Sequence, residues 1–356
     1  TRRPLRLATS LVLASGRLCG DAHACLSGET RVRHVRRLVW RVDSALLNVA
    51  EKALWKQFHG IRGDPSLNRD DFASRLAFST NAYLDVTVES AIAQVAGLGY
   101  AGIELLADVP HAWPAGLLEV QKEAIRNCIE KHGLVISNIN AFMMNAVADP
   151  RQPYWHPGWT DPDPHYRAIR REHTKRALKL AADLGAPAIS TEPGGELQPG
   201  QTRQEATDIF YEEIMPVLDV AAETGVTLLI EPEPDLLIET FEQFLEFAER
   251  VNHPSLGLNF DVGHAFCVGD DPAAWVPRLV KHTKHYHVED IAETRVHHHL
   301  VPGEGAIDFA GVLSAIATHT PDLWVTVELY PYRDRPDEAA RAAREYLLGI
   351  AESVAS

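Results

Sequence analysis

Four short apolar runs in the second half of the chain each end on a side chain able to bind a metal. TLLIE ends on Glu231, LGLNFD on Asp261, TKHYH on His287 and WVTVE on Glu328. Successive ends lie 30, 26 and 41 residues apart, the length of one strand, one helix and their loops. The longest gap holds an extra loop, RVHHHLVPGEG, at 295–305. Strands alternating with helices imply a parallel sheet. In a closed barrel of such units every strand's C-terminal end opens on the same face, so residues distant in sequence converge. A single acid ending a strand is most often a helix cap, but four in successive units are hard to explain as caps. Two Glu, one Asp and one His form an oxygen-rich set with one imidazole. That set suits Mn²⁺, Mg²⁺, Co²⁺ or Fe²⁺, with Zn²⁺ a further alternative.

The alternation extends back to Leu76. Strands are expected at LAFST (76–80), GIELL (102–106), LVISNIN (134–140) and PAISTE (187–192), ahead of the four above. Helices are expected at about 87–98, 116–132, 166–184, 202–224, 240–251, 272–279, 308–318 and 336–353, several stopping at a glycine. Eight strands and eight helices make a (β/α)₈ barrel of the α/β class, spanning 76–356. Glu104, Asn140 and Glu192 also end strands and are candidate substrate contacts. Between 141 and 164 lies a Pro/Trp-rich insert in which Trp155, His156 and Trp159 are expected to cover the site or to pack as a simple loop.

Residues 1–75 read differently. They hold 14 Lys+Arg against 7 Asp+Glu, while the rest of the chain holds 20 against 42. The expectation is a poorly ordered basic extension, with a short amphipathic helix at 46–58, in preference to a targeting peptide or a nucleic-acid arm. Four cysteines without paired spacing suggest a reducing, cytoplasmic setting. Apolar runs are too short for a membrane span.

The motifs IEPEP (230–234), NFDVGH (259–264), HYHVED (285–290), PGEGAIDF (302–309) and VELYP (327–331) resemble those of the xylose-isomerase-like TIM barrels. That superfamily also holds the sugar phosphate isomerases and epimerases, inosose dehydratases, ketose 3-epimerases and apurinic endonucleases. The resemblance covers about Leu76 to the C-terminus and leaves the substrate open. It implies one divalent ion, Mn²⁺ before the others, held by Glu231, Asp261, His287 and Glu328. Glu231 and Glu328 would double as acid/base groups, moving a proton beside a metal-held carbonyl of a small sugar, sugar phosphate or cyclitol. A dehydratase would share that first step. His264 matches the family's DxxH histidine, a substrate or second-metal contact. Arg295 is placed to meet a substrate hydroxyl or phosphate. His297 and His299 stand where the endonucleases carry an Asp and a His for a further zinc. A polar substrate shell is the first expectation for them and a second metal the other. His285 is expected behind His287. An endonuclease role is opposed by the acidic barrel, which repels a phosphate backbone, and by the lack of further His ligands after strand three. The expected partner is therefore a small molecule, with no nucleic acid or membrane, and with a homo-oligomer left open.

Overall fold

The computed structural model describes residues 69–142 and 155–354. The expected helix at 46–58 and most of the basic extension lie outside them. Eight parallel strands close into a barrel in the order β1 to β8, with β8 pairing back onto β1. They are β1 Leu76–Ser79, β2 Gly102–Leu106, β3 Val135–Asn140, β4 Ala188–Thr191, β5 Thr227–Ile230, β6 Leu256–Asp261, β7 Thr283–Val288 and β8 Val325–Val327. Each falls within a residue or two of its expected place. Such strands are buried on both sides, by the barrel interior and by the helices, so they read as near-continuous apolar runs.

The outer helices match the expected ones, and their ends follow from capping. Thr87, Thr202 and Thr240 cap helices Val88–Gly97, Arg203–Thr224 and Phe241–Val251 by accepting from the backbone three residues on. Gly225 closes Arg203–Thr224 in the left-handed region, as Gly133 and Gly185 close the helices Glu119–His132 and Pro164–Leu184. Two short helices were not anticipated. Val262–Cys267 follows β6 directly and is capped by Asp261. Arg69–Ala73 precedes β1 and buries Phe72; it packs on the last helix, Pro336–Val354. A short packed helix thus lies just ahead of the expected boundary at 76.

The site depends on one loop in particular. Asp290 accepts hydrogen bonds from the backbone N–H groups of Ile291, Gly303, Gly305 and Ile307 at 2.8–3.1 Å. A Cβ on Gly305 would lie 2.3 Å from Asp290 Oδ1, so the PGEG glycines let the loop fold around this carboxylate. The closed loop carries His297 and His299 to the mouth of the barrel. Among the described residues no helix is long and apolar enough to cross a membrane.

Candidate metal centre

Glu231, Asp261, His287 and Glu328 converge as the strand ends require. One ligand atom from each lies within 4.8 Å of the others, and all four side chains are buried. His287 sits at the centre. Its Nδ1 is 2.9 Å from Glu231 Oε1, 3.6 Å from Glu328 Oε2 and 3.9 Å from Asp261 Oδ2. Its Nε2 is 2.7 Å from Glu104 Oε2. The carboxylate of Glu104 keeps a proton on Nε2, which aims the Nδ1 lone pair at the cluster once that atom is deprotonated.

Each carboxylate is held by one oxygen or by both. Asp261 Oδ1 accepts from the His264 N–H at 2.7 Å, capping the short helix, while Oδ2 is buried with no hydrogen-bond partner. One oxygen of the group thus caps the helix and the other lies 3.9 Å from His287 Nδ1. Glu231 Oε2 accepts from Asn259 Nδ2 at 2.6 Å. Glu328 Oε1 accepts from Asn81 Nδ2 at 2.8 Å and Asn140 Nδ2 at 3.0 Å, which leaves Oε2 toward His287.

The electrostatics fit a cation. Burial, then the neighbouring carboxylates, pushes Glu328 well above the usual carboxylate range. Burial raises Asp261, and burial with Asp261 beside it raises Glu289 well above its ordinary value. Burial opposes charge on His287, but Glu104, Glu231 and Glu328 outweigh it and lift the imidazole well above its ordinary value. Burial likewise works to raise Glu104, yet His287 overrides it and holds that carboxyl at about 2. Carboxyls outnumber cations here and are held toward their protonated forms, and a divalent ion would supply the compensation that lets them ionise. Such an ion must displace protons from Glu328 and His287, both of which are raised. Metal affinity should therefore climb as pH rises through neutrality, by up to about tenfold per pH unit for each proton displaced. Mn²⁺ titrations at several pH values measure this, and a pH-independent dissociation constant would contradict the assignment.

A cavity of about 390 Å³ opens above the cluster, lined among others by Asn81, Asn140, Glu231, Glu233, His264, His297, His299, Glu328 and Tyr330. That volume is of small-molecule size. His264 Nδ1 is 2.9 Å from the Pro232 carbonyl and His299 Nδ1 is 2.9 Å from the Glu328 carbonyl. A carbonyl only accepts, so both rings carry their proton on Nδ1 and leave Nε2 unprotonated, that of His299 lying 3.1 Å from His297 Nε2. Burial holds His264 near 4, His297 near 3 and His299 well below its ordinary value, so all three are neutral imidazoles. Their nitrogens lie within 4.8 Å of one another, a geometry open both to a polar substrate shell and to a second cation. Burial raises Glu233 to about 8.

Three of the expected substrate contacts are placed elsewhere. Glu104 is fully buried behind His287, between it and Asn138 Nδ2 at 2.8 Å. Glu192 is turned inward: it accepts from the backbone of Trp159 and Gly194 at 2.9 and 2.6 Å and faces Arg170. Arg295 is exposed, its guanidinium lies over the Phe266 ring, and it donates to the Phe266 carbonyl. Asn140 lines the cavity but both its polar atoms are engaged, Oδ1 accepting from the Phe142 N–H at 3.2 Å. His285 lies behind His287, tied to Asn259 and Thr326. In the insert, Trp159 is a core residue bonded to Thr191 and His156 pairs with Asp161; neither lines the cavity. Residues 143–154 of the insert lie outside the described residues. Asn81, Asn259, Glu289 and Tyr330 were not singled out from the sequence. Asn81 had a signal, since it follows β1 as Asn140 ends β3.

Because Glu104 acts only through His287, Glu104→Gln should leave the fold intact and weaken Mn²⁺ binding by about 10- to 100-fold. Calorimetric titration beside a thermal melt separates the two, and unchanged affinity would remove the orienting role.

Against known proteins, the family model for xylose isomerase-like TIM barrels matches residues 92–349. An inosose dehydratase from Geobacillus thermodenitrificans is 26% identical over 209 residues, covering 49% of this chain and 70% of that protein. Two solved structures share the fold, each with a TM-score of 0.65 and 20% identity. One, described as IOLI protein with a binding zinc atom, covers 78% of this chain and 98% of its own. The other, a D-tagatose 3-epimerase-like protein, covers 79% and 99%.

Proposed function

The chain belongs to the xylose isomerase-like TIM-barrel family, and from that premise we propose that it is a divalent-metal-dependent enzyme acting on a small sugar, sugar phosphate or cyclitol. In the reaction a proton leaves a carbon beside a carbonyl and returns elsewhere, as in an isomerase or epimerase. The observation that carries this is the buried cluster of Glu231, Asp261, His287 and Glu328, each offering a ligand atom within 4.8 Å of the others, opening on a cavity that also presents Glu231 and Glu328. Glu231, Asp261, His287 and Glu328 would hold the ion, with Mn²⁺ first and Zn²⁺, named for a protein of the same fold, among the alternatives. Bound there, the cation would polarise a hydroxy-ketone and acidify its C–H.

The rest is the work of this chain's side chains. Glu328, with Oε1 fixed by two amides, presents Oε2 as a proton acceptor, and Glu231 faces it as the second acid/base group. The neutral His264, His297 and His299 bind and orient hydroxyls without adding charge. Asn259 spans His285, Glu231 and His287 and keeps the last two in register.

A dehydratase is the second reading, favoured by the name of the 26% identical relative. It uses the same proton removal and then expels a neighbouring hydroxyl instead of returning the proton. A panel of ketoses, inososes and sugar phosphates, incubated with the Mn²⁺-loaded protein and followed by NMR, tests both. A new isomer or epimer supports the first reading, and a product lighter by one water supports the second. No turnover of any panel member by fully metal-loaded protein would overturn the proposal.

A further inference from the structure

Asn81 and Asn140 look alike at first. Each follows or ends a strand, each lines the cavity, and each gives its Nδ2 to the same oxygen, Glu328 Oε1. Their other halves differ. Asn140 Oδ1 accepts from the Phe142 backbone, so that residue is a completed bracket. Asn81 is 1% exposed, and its Oδ1 is buried with no partner. A buried carbonyl left without a donor is unfavourable, and such groups are rare unless a ligand or ordered solvent meets them.

We propose that Asn81 is a specificity-determining residue: its Oδ1 accepts a hydrogen bond from a substrate hydroxyl, while its Nδ2 holds Glu328 in place. The proposal rests on the carbohydrate reading above and narrows it. The ligand must carry an O–H donor on the β1 side of the cavity, next to the carbon that Glu328 Oε2 addresses. A methylene or a carboxylate at that position would leave the amide oxygen unpaired or repelled. Sites built to bond a substrate hydroxyl reject the deoxy analogue strongly, because the buried partner is then stranded. Asn81 thereby couples recognition to positioning, since a hydroxyl bonded at Oδ1 fixes the amide whose other end orients the acid/base carboxylate.

The test is a matched set of ligands and variants, read by binding. Mn²⁺-loaded wild type, Asn81→Leu and Asn140→Leu are titrated by calorimetry with D-tagatose, D-fructose and 2-keto-myo-inositol and with their monodeoxy counterparts. Metal content and melting temperature are measured on each protein. In the wild type one deoxy position should weaken binding by about 10- to 100-fold. Asn81→Leu should collapse that ratio to about twofold or less. Asn140→Leu, which also frees Glu328, should keep it. Asn81→Ala serves if the leucine variant does not fold. A ratio that survives both Asn81 substitutions overturns the proposal, as does a wild type that binds none of these ligands. Turnover is scored apart from binding. Discrimination without turnover counts against the reaction and leaves Asn81 standing, whereas turnover with discrimination independent of Asn81 does the reverse.

Discussion

The doubly substituted Asp261→Ala, His287→Ala protein is expected to purify with no bound metal, where the wild type, prepared without chelator, carries about one equivalent. Two of the four ligands are gone, and the two that remain, Glu231 and Glu328, lose the imidazole that lies 2.9 and 3.6 Å from them. Turnover of any substrate found in the panel should vanish with the metal, since the C–H would no longer be acidified. A second readout guards against simple misfolding. A ligand present at a hundredfold its dissociation constant stabilises the native state by about 2.7 kcal/mol. Chelation should therefore lower the melting temperature of the wild type and leave that of the double variant unmoved. Removing Asp261 also takes away the cap it gives the short helix at 262–267, a loss of about 1 kcal/mol, so each protein's own metal-free melt is the reference. Full metal content in the double variant would sink the ligand assignment.

The barrel and the convergence of Glu231, Asp261, His287 and Glu328 could be read from the sequence for one reason. A strand buried on both faces must be apolar, so a charged residue at its end marks the mouth of the barrel without any knowledge of the fold's details. The same signal misplaced Glu192. By sequence it is Glu231's equal, a carboxylate behind a short apolar strand. Its fate was decided by a segment more than thirty residues earlier, where the Trp159 backbone arrives to be capped. Glu104 shows the converse limit. Its partner, His287, is 183 positions away, and the pairing depends on side chains meeting across the barrel interior, which no local pattern encodes. Arg295 was drawn off by a neighbour across the loop, the Phe266 ring and carbonyl. At Gly263 a Cβ would fall 1.8 Å from Glu289 Oε1, so its smallness lets a second carboxyl lie beside Asp261.

Glu328→Gln is expected to cut turnover by about 10²- to 10⁴-fold, the scale of a lost general acid or base, and Glu231→Gln by a similar factor. Both residues are also ligands, so metal content must be measured on the same samples, and only the loss that persists at full occupancy counts toward proton transfer. The two need not behave alike. Glu328 Oε1 is already saturated by Asn81 and Asn140; a glutamine can keep those bonds through its own carbonyl, leaving an NH₂ where the base stood. Glu231 has both oxygens engaged, with His287 and Asn259, so its substitution should disturb metal binding more and make the correction larger. Solvent exchange gives the cleaner test. Wild-type turnover in D₂O should place deuterium on the reacting carbon, because a proton resting on a carboxylate beside the cavity mouth exchanges with solvent before it returns. The Glu→Gln variants should lose turnover and exchange together. In the dehydratase reading, unreacted ketone recovered part-way would carry the label if proton removal is reversible. Complete retention of the original hydrogen through many turnovers of an isomerisation would point to a hydride shift between neighbouring carbons. It would take the proton-carrying role from Glu231 and Glu328 and leave them only as ligands.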